Sequence, residues 1–228
     1  GGQVKTPYYE GMPYFLSPAS ILAMLLALSV HEWAHGYAAY LLGDPTAKYE
    51  GRLTLNPLVH LDPIGTILFL LVGFGWGKPV PVNPRYFSHY RRDTALVALA
   101  GPVSNIVIAI LASLLLLLSH SLGSISVLSG IAGPSSFLFS FFEFSIALNL
   151  TLMAFNLLPI APLDGSKILA AFIPLQYDEL FEQYMSYGPF ILLFLLLSDR
   201  FLGFDVFSAW ISIITMPFFA MLSVIFRI

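Results

Sequence analysis

The sequence predicts an all-α integral membrane protein with about five transmembrane helices, a short re-entrant segment and a small β element at the membrane surface. Three observations carry that prediction. Of 228 residues, 57% are hydrophobic and 10% charged, where soluble domains average about 25% charged, and the mean hydropathy is +0.82. Apolar runs near the roughly 20 residues that cross a bilayer recur along the chain. The longest polar stretch, residues 43–93, is too short for a soluble domain of ordinary size.

The first expected span covers about 18–42 and follows an N-terminal extracytoplasmic segment, 1–17. The remainder, 18–228, reads as one polytopic domain with its core at about 18–173. Within the polar stretch, the apolar run 64–74 is too short to cross. It is bounded by Asp62-Pro63 and by Gly73, Gly75 and Gly77, so it reads as a half-span packed against protein. Tyr49, residues 52–56 and residues 80–82 have strand-like alternation or β-branched content, with turn punctuation at Gly51 and Asn56-Pro57. These give the expected β element. The second span is expected at about 94–118, the third at 137–158, the fourth at 184–197 with a start near Tyr177, and the fifth at 206–226.

Positive charge orients the chain. Lys48, Arg52, Lys78, Arg85, Arg91 and Arg92 lie between the first two spans, Lys167 follows the third and Arg227 the fifth; only Lys5 and Arg200 fall on the other side. This imbalance puts loop 43–93 in the cytoplasm, the N-terminus outside and the C-terminus inside. The expected location is the cytoplasmic membrane of a prokaryote, with the lipid bilayer as a partner. A net charge of -3 argues against nucleic acid, and the absence of cysteine excludes disulfides, thiolate metal sites and cysteine nucleophiles.

The first span carries the chemistry. It contains His31-Glu32-Trp33-Ala34-His35. On a helix, positions i and i+4 share a face, so both imidazoles point one way, with Glu32 beside them. That supplies two metal ligands and a general base in five residues. Ionisable groups in hydrocarbon are costly and mark function. A catalytic zinc takes three protein ligands and keeps one position open. The best third ligand is Asp164, after Pro159 and Pro162 have broken the helical path of the third span, with Gly165 permitting a turn. Asn156 is a candidate for holding an oxyanion. Arg52, Leu53, Thr54 and Leu55 are candidates to bind an unwound substrate by strand addition.

These residues carry a resemblance. His-Glu-x-x-His at 31–35 together with Asn-x-x-Pro-x-x-Pro-x-Asp-Gly at 156–165 resembles the site-2 protease family of intramembrane zinc metalloproteases. Ala100-Gly101-Pro102-Val103-Ser104-Asn105 is similar to that family's Gly-Pro-x-x-Asn segment, which makes Asn105 a further substrate-binding candidate. Gly51-Arg52-Leu53-Thr54-Leu55-Asn56-Pro57, with His60 and Asp62-Pro63 after it, is typical of the family's short members. Ser166 stands where a second glycine is frequent. The resemblance implies a minimal member without PDZ or CBS domain, binding one zinc ion through His31, His35 and Asp164. It also implies Glu32 as general base and a transmembrane protein as substrate. The alternative reading is a membrane metal transporter using the same histidines. Repeat symmetry, which transporters often show, is not visible in the sequence. A zincin with a glutamate third ligand finds no motif around Glu179 or Glu182, the glutamates that follow Asp164.

Overall fold

The computed structural model describes residues 14–73, 75–123, 137–201, 203 and 206–226. Most of the expected extracytoplasmic segment 1–17, together with Lys5 and Arg227, lies outside the described residues. The elements, in order, are α1 (Pro18–Leu41), α2 (Thr46–Tyr49), α3 (Pro63–Val72), α4 (Tyr90–Gly123), α5 (Phe137–Asn156), α6 (Asp164–Ala170), α7 (Asp178–Phe201) and α8 (Val206–Phe226), with short 3-10 turns between some of them.

Among the described residues, three helical stretches are long and apolar enough to cross a membrane: Tyr90–Ser119, Phe137–Asn156 and Leu175–Ser198. Val206–Met221 is a shorter apolar helix. α1 is not among the three, because His31, Glu32 and His35 interrupt its apolar run. The coarse prediction of a helical membrane protein therefore stands, with three spans identified on length and composition.

Helix ends follow local chemistry. Ser17 caps α1, its hydroxyl accepting from Ser20 N–H at 3.2 Å. The helix closes where Gly43 takes φ +102, with Asp44 N–H donating to Ala39 O at 2.9 Å and Gly43 N–H to Tyr40 O at 3.1 Å; this is the glycine-terminated Schellman arrangement. α3 begins where Asp62 accepts from Gly65 N–H at 2.8 Å and Pro63 occupies the first turn, and it stops at Gly73 with φ +77. At 10 residues it spans about 15 Å, half of a bilayer core. The chain then returns along it so closely that a Cβ on Gly65 would meet Trp76 O at 2.1 Å.

The expected β element does not form. Among the described residues, β pairing is limited to an isolated antiparallel bridge between Leu61 and Gly77. Two causes are visible. The amides of Arg52 and Leu53 both turn back to Ala47 O, at 2.8 and 3.1 Å, and so leave no strand edge there. Val80 is flanked by Pro79 and Pro81, which have no N–H to give to a ladder.

The described chain divides into two compact units of interleaved segments. The first comprises Gly1–Ser29, Asn56–Lys78 and Val107–Asn149; the second comprises Val30–Leu55, Pro79–Ile106 and Leu150–Ile228. In the second unit, the non-helical link after α5 is held by a cluster of Leu158, Ile160 and Leu163 against Phe155, Ile191, Leu195, Phe207 and Trp210. Trp210 Nε1–H donates to Ala154 O at 2.8 Å, and Tyr184 O–H donates to Pro159 O. Gly188 on α7 admits this link, since a Cβ there would meet Ala161 Cβ at 2.5 Å.

Candidate metal centre

Among the buried residues of α1, Ala19, Ala23, Ala27, His31, His35 and Ala39 recur at intervals of four. Such positions follow one helix face. The two histidines occupy successive places in a stripe otherwise made of alanine. Their rings stand edge to face, with centroids 4.6 Å apart and planes at 85°.

Each imidazole is fixed from behind. His31 Nδ1 lies 2.7 Å from Asn105 Oδ1, and His35 Nδ1 lies 2.7 Å from the carbonyl oxygen of Val97. Both partners are oxygens that accept, so the ring protons sit on Nδ1 and donate to them. The Nε2 atoms are left as bare lone pairs, 3.0 Å apart. Asp164 completes the group. Its Oδ2 is 3.3 Å from His31 Nε2 and 3.1 Å from His35 Nε2, and it receives no hydrogen bond.

In that tautomer three buried electron-pair donors converge. Unpartnered polar groups of one sign are unfavourable away from water, and a cation among them removes the conflict. Two imidazole nitrogens and one carboxylate oxygen, mutually within 4.8 Å, form the donor set of a catalytic zinc site that keeps a position open. The residues fit the ion the motif implies.

Asp164 reaches this point because it opens α6 directly after the broken link. Gly165 allows that approach: a Cβ there would lie 2.3 Å from Leu157 O and 2.4 Å from Leu158 O. Its requirement is close backbone packing inside a helical turn, not the turn conformation expected from the sequence. Lys167 Nζ sits 3.5 Å from Asp164 Oδ1, the oxygen facing away from the imidazoles. α4 contributes Gly101, where a Cβ would stand 2.4 Å from His35 Nε2 and 2.6 Å from His31 Cε1.

A cavity of about 320 Å³ opens beside the three ligands, and Glu32, Asn156 and Lys167 also line it. Glu32 Oε2 accepts from Val80 N–H at 2.7 Å. Asn156 uses one amide N–H on Leu152 O at 2.9 Å.

The structure therefore brings together His31, Glu32, His35, Asn156 and Asp164. The other expected site residues do not line this cavity. Asn105 is fully buried and holds His31, so its position is behind the ligand. Arg52 is buried, with Nη2 donating to Pro79 O at 3.3 Å. Leu53 and Thr54 are half-buried and Leu55 is exposed, in a turn without a free strand edge. His60 and Glu143 do not belong to the cluster. Sequence reasoning missed Val97 O and Val80 N–H, which are backbone atoms with no side-chain signature. It met Gly101 only as part of a motif and Lys167 only as an orienting charge.

A helical membrane protein with a buried His–His–Asp donor set and a carboxylate sharing its cavity belongs to the class of membrane metallohydrolases. Comparison with known proteins narrows the class. Residues 19–197 match peptidase family M50, a zinc-dependent family that includes the site-2 proteases. "Putative zinc metalloprotease YwhC" of Bacillus subtilis is 45% identical over 183 residues, covering 80% of this chain and 82% of that protein. "Putative zinc metalloprotease Rip2" of Mycolicibacterium smegmatis is 29% identical over 185 residues, 78% of this chain and 66% of its own length. "Putative zinc metalloprotease MJ0611" of Methanocaldococcus jannaschii is 30% identical over 155 residues, 66% of this chain and 68% of its own. No solved structure matches. The chain belongs to peptidase family M50 and is a metalloprotease.

Proposed function

We propose that this protein is an intramembrane endopeptidase that hydrolyses peptide bonds in or near the transmembrane helices of membrane-protein substrates. The observation that carries the reading is the convergence of His31 Nε2, His35 Nε2 and Asp164 Oδ2, with Glu32 on the wall of the same cavity. His31, His35 and Asp164 would hold one zinc ion. Zinc bound there supplies Lewis acidity and brings the ionisation of water within reach of neutral pH.

The chain's own residues do the rest. Glu32 accepts the proton of the attacking water and returns it to the leaving amine. The second N–H of Asn156, beyond the one bound to Leu152 O, is available to the developing oxyanion. Asn105 and the Val97 carbonyl hold the imidazoles in the tautomer that presents Nε2. A helical peptide bond is already hydrogen-bonded along its own axis, so the substrate unwinds locally before it enters.

In this reading α1 and α8 also cross the bilayer, which gives five spans, and α3 is the re-entrant piece. The charge imbalance supports a cytoplasmic 43–93 loop with the N-terminus outside and the C-terminus inside. The bacterial and archaeal relatives support a prokaryotic cytoplasmic membrane.

The test is Glu32→Gln in the full chain, with zinc measured by elemental analysis and cleavage of a single-span polypeptide measured alongside. Full zinc content with cleavage reduced about 10²–10⁴-fold is the expected result. Full zinc with wild-type cleavage would refute the assignment of the base.

A further inference from the structure

We infer that the buried residues Asp44 and Arg52 are positioning residues, which hold the segment 79–83 beside the cavity so that the backbone amide of Val80 fixes the carboxylate of Glu32. The inference rests on the proposed role of Glu32.

The segment begins Pro79-Val80-Pro81. Two of these residues have no N–H, so Val80 carries the triplet's single amide donor, and it goes to Glu32 Oε2 at 2.7 Å. In an extended chain, successive residues turn their N–H and C=O groups to opposite edges. The opposite edge is held by Arg52, whose Nη2 donates to Pro79 O at 3.3 Å. Further on, Asn83 N–H donates to Asp44 Oδ2 at 2.7 Å. Asp44 is 1% exposed, and its other oxygen accepts from both Thr46 N–H and Thr46 O–H. Both carboxylate oxygens are therefore committed, one to each side of a joint between the end of α1 and the segment.

Packing agrees with this arrangement. Gly36, one residue beyond His35, faces Val80, and a Cβ there would meet Val80 Cγ1 at 3.0 Å. The segment rests directly on the helix that carries Glu32. Asp44 and Arg52 do not line the cavity, yet each is one hydrogen bond from the backbone that reaches the base. A buried charge on a loop is unfavourable unless it is bonded. Here Asp44 is bonded to Asn83 N–H of this segment and to the amide and hydroxyl of Thr46, and Arg52 donates to Pro79 O.

The experiment uses the full chain in detergent micelles, with a fluorogenic single-span polypeptide as probe. The variants are Asp44→Asn, Arg52→Met, Val80→Pro and the pair Asp44→Asn with Val80→Pro. Asparagine keeps the volume of Asp44 but can accept on one side only. Val80→Pro deletes the donor itself. The expected result is wild-type zinc content and KM, with kcat about 10- to 100-fold lower for misplacement of a reacting group. The double variant should fall no further than the weaker single, because both act through one bond. Should Val80→Pro fail to fold, Asp44→Asn and Arg52→Met still decide the question by kcat at full zinc occupancy.

Wild-type kcat in those two variants, losses that multiply in the double, or losses that follow zinc content would each overturn the inference. Glu32→Gln separates the two levels. If it is inactive while Asp44→Asn and Arg52→Met cleave normally, the clamp alone is wrong. If it retains cleavage with full zinc, the base assignment is wrong and the clamp has nothing to position.

Discussion

Gly101→Ala is the smallest change that should empty the metal site without touching a ligand. The added Cβ would lie 2.4 Å from His35 Nε2 and 2.6 Å from both His31 Cε1 and His35 Cε1. Carbon meets such atoms comfortably at about 3.5 Å, so the rings or the helices must separate by about 1 Å. The rings cannot swing away freely, since each Nδ1 is tied behind at 2.7 Å. Zinc–ligand distances tolerate only about ±0.2 Å, so the displacement exceeds the tolerance roughly five-fold. A reacting geometry displaced by 1 Å costs about 10²-fold. Zinc affinity, measured by competition with a calibrated chelator on protein purified in detergent, should fall at least that far, and cleavage should fall with it. Helical content by circular dichroism should stay at the wild-type level, because alanine suits a helix better than glycine does. Wild-type zinc affinity in this variant would refute the reasoning, for it would mean the two imidazoles do not face Gly101 as described.

Asn105→Ala should lower zinc affinity about 10- to 100-fold by freeing His31 to turn or change tautomer, read by the same competition assay; an unchanged affinity would show that the Asn105 contact does not orient the ligand. Stripping the metal with a chelator should abolish cleavage and lower the melting temperature. A site saturated at 100 times its dissociation constant contributes about 2.7 kcal/mol, and added zinc should restore both properties; an unshifted melting curve would count against a buried ion. Trp210→Phe keeps the ring packing but loses the bond to Ala154 O. It should lower stability by about 0.5–1 kcal/mol with cleavage nearly intact, as followed by denaturant titration in micelles.

The features legible in the sequence were those that obey a period or a prohibition. The spacing of His31 and His35 put two rings on one helix face, and the prolines at 159 and 162 predicted that the chain would leave helical form before Asp164. Helix limits at Pro18, Pro63, Phe137 and Val206 follow from apolar runs meeting prolines, caps or polar breaks. The illegible parts depend on backbone groups. The alternation at residues 52–55 looks like a strand, but Ala47 O collects both nearby amides. Asp44-Pro45 reads as an ordinary turn pair, and only the fold reveals that Asp44 reaches Asn83 across the loop. Asn105 was found by its motif, but its contact with His31 Nδ1 was not, because a motif names a residue without saying which side of the ligand it occupies.

The ligands His31 and His35 stand near the start of the chain, whereas Asp164 comes after the third long helix. In synthesis from the N-terminus, α4 and α5 are therefore made before the last coordinating oxygen exists. Until then the two imidazoles alone form a weak, two-point hold. A chain that stops short of Asp164 thus has two of the three donors and lacks the carboxylate that completes the set.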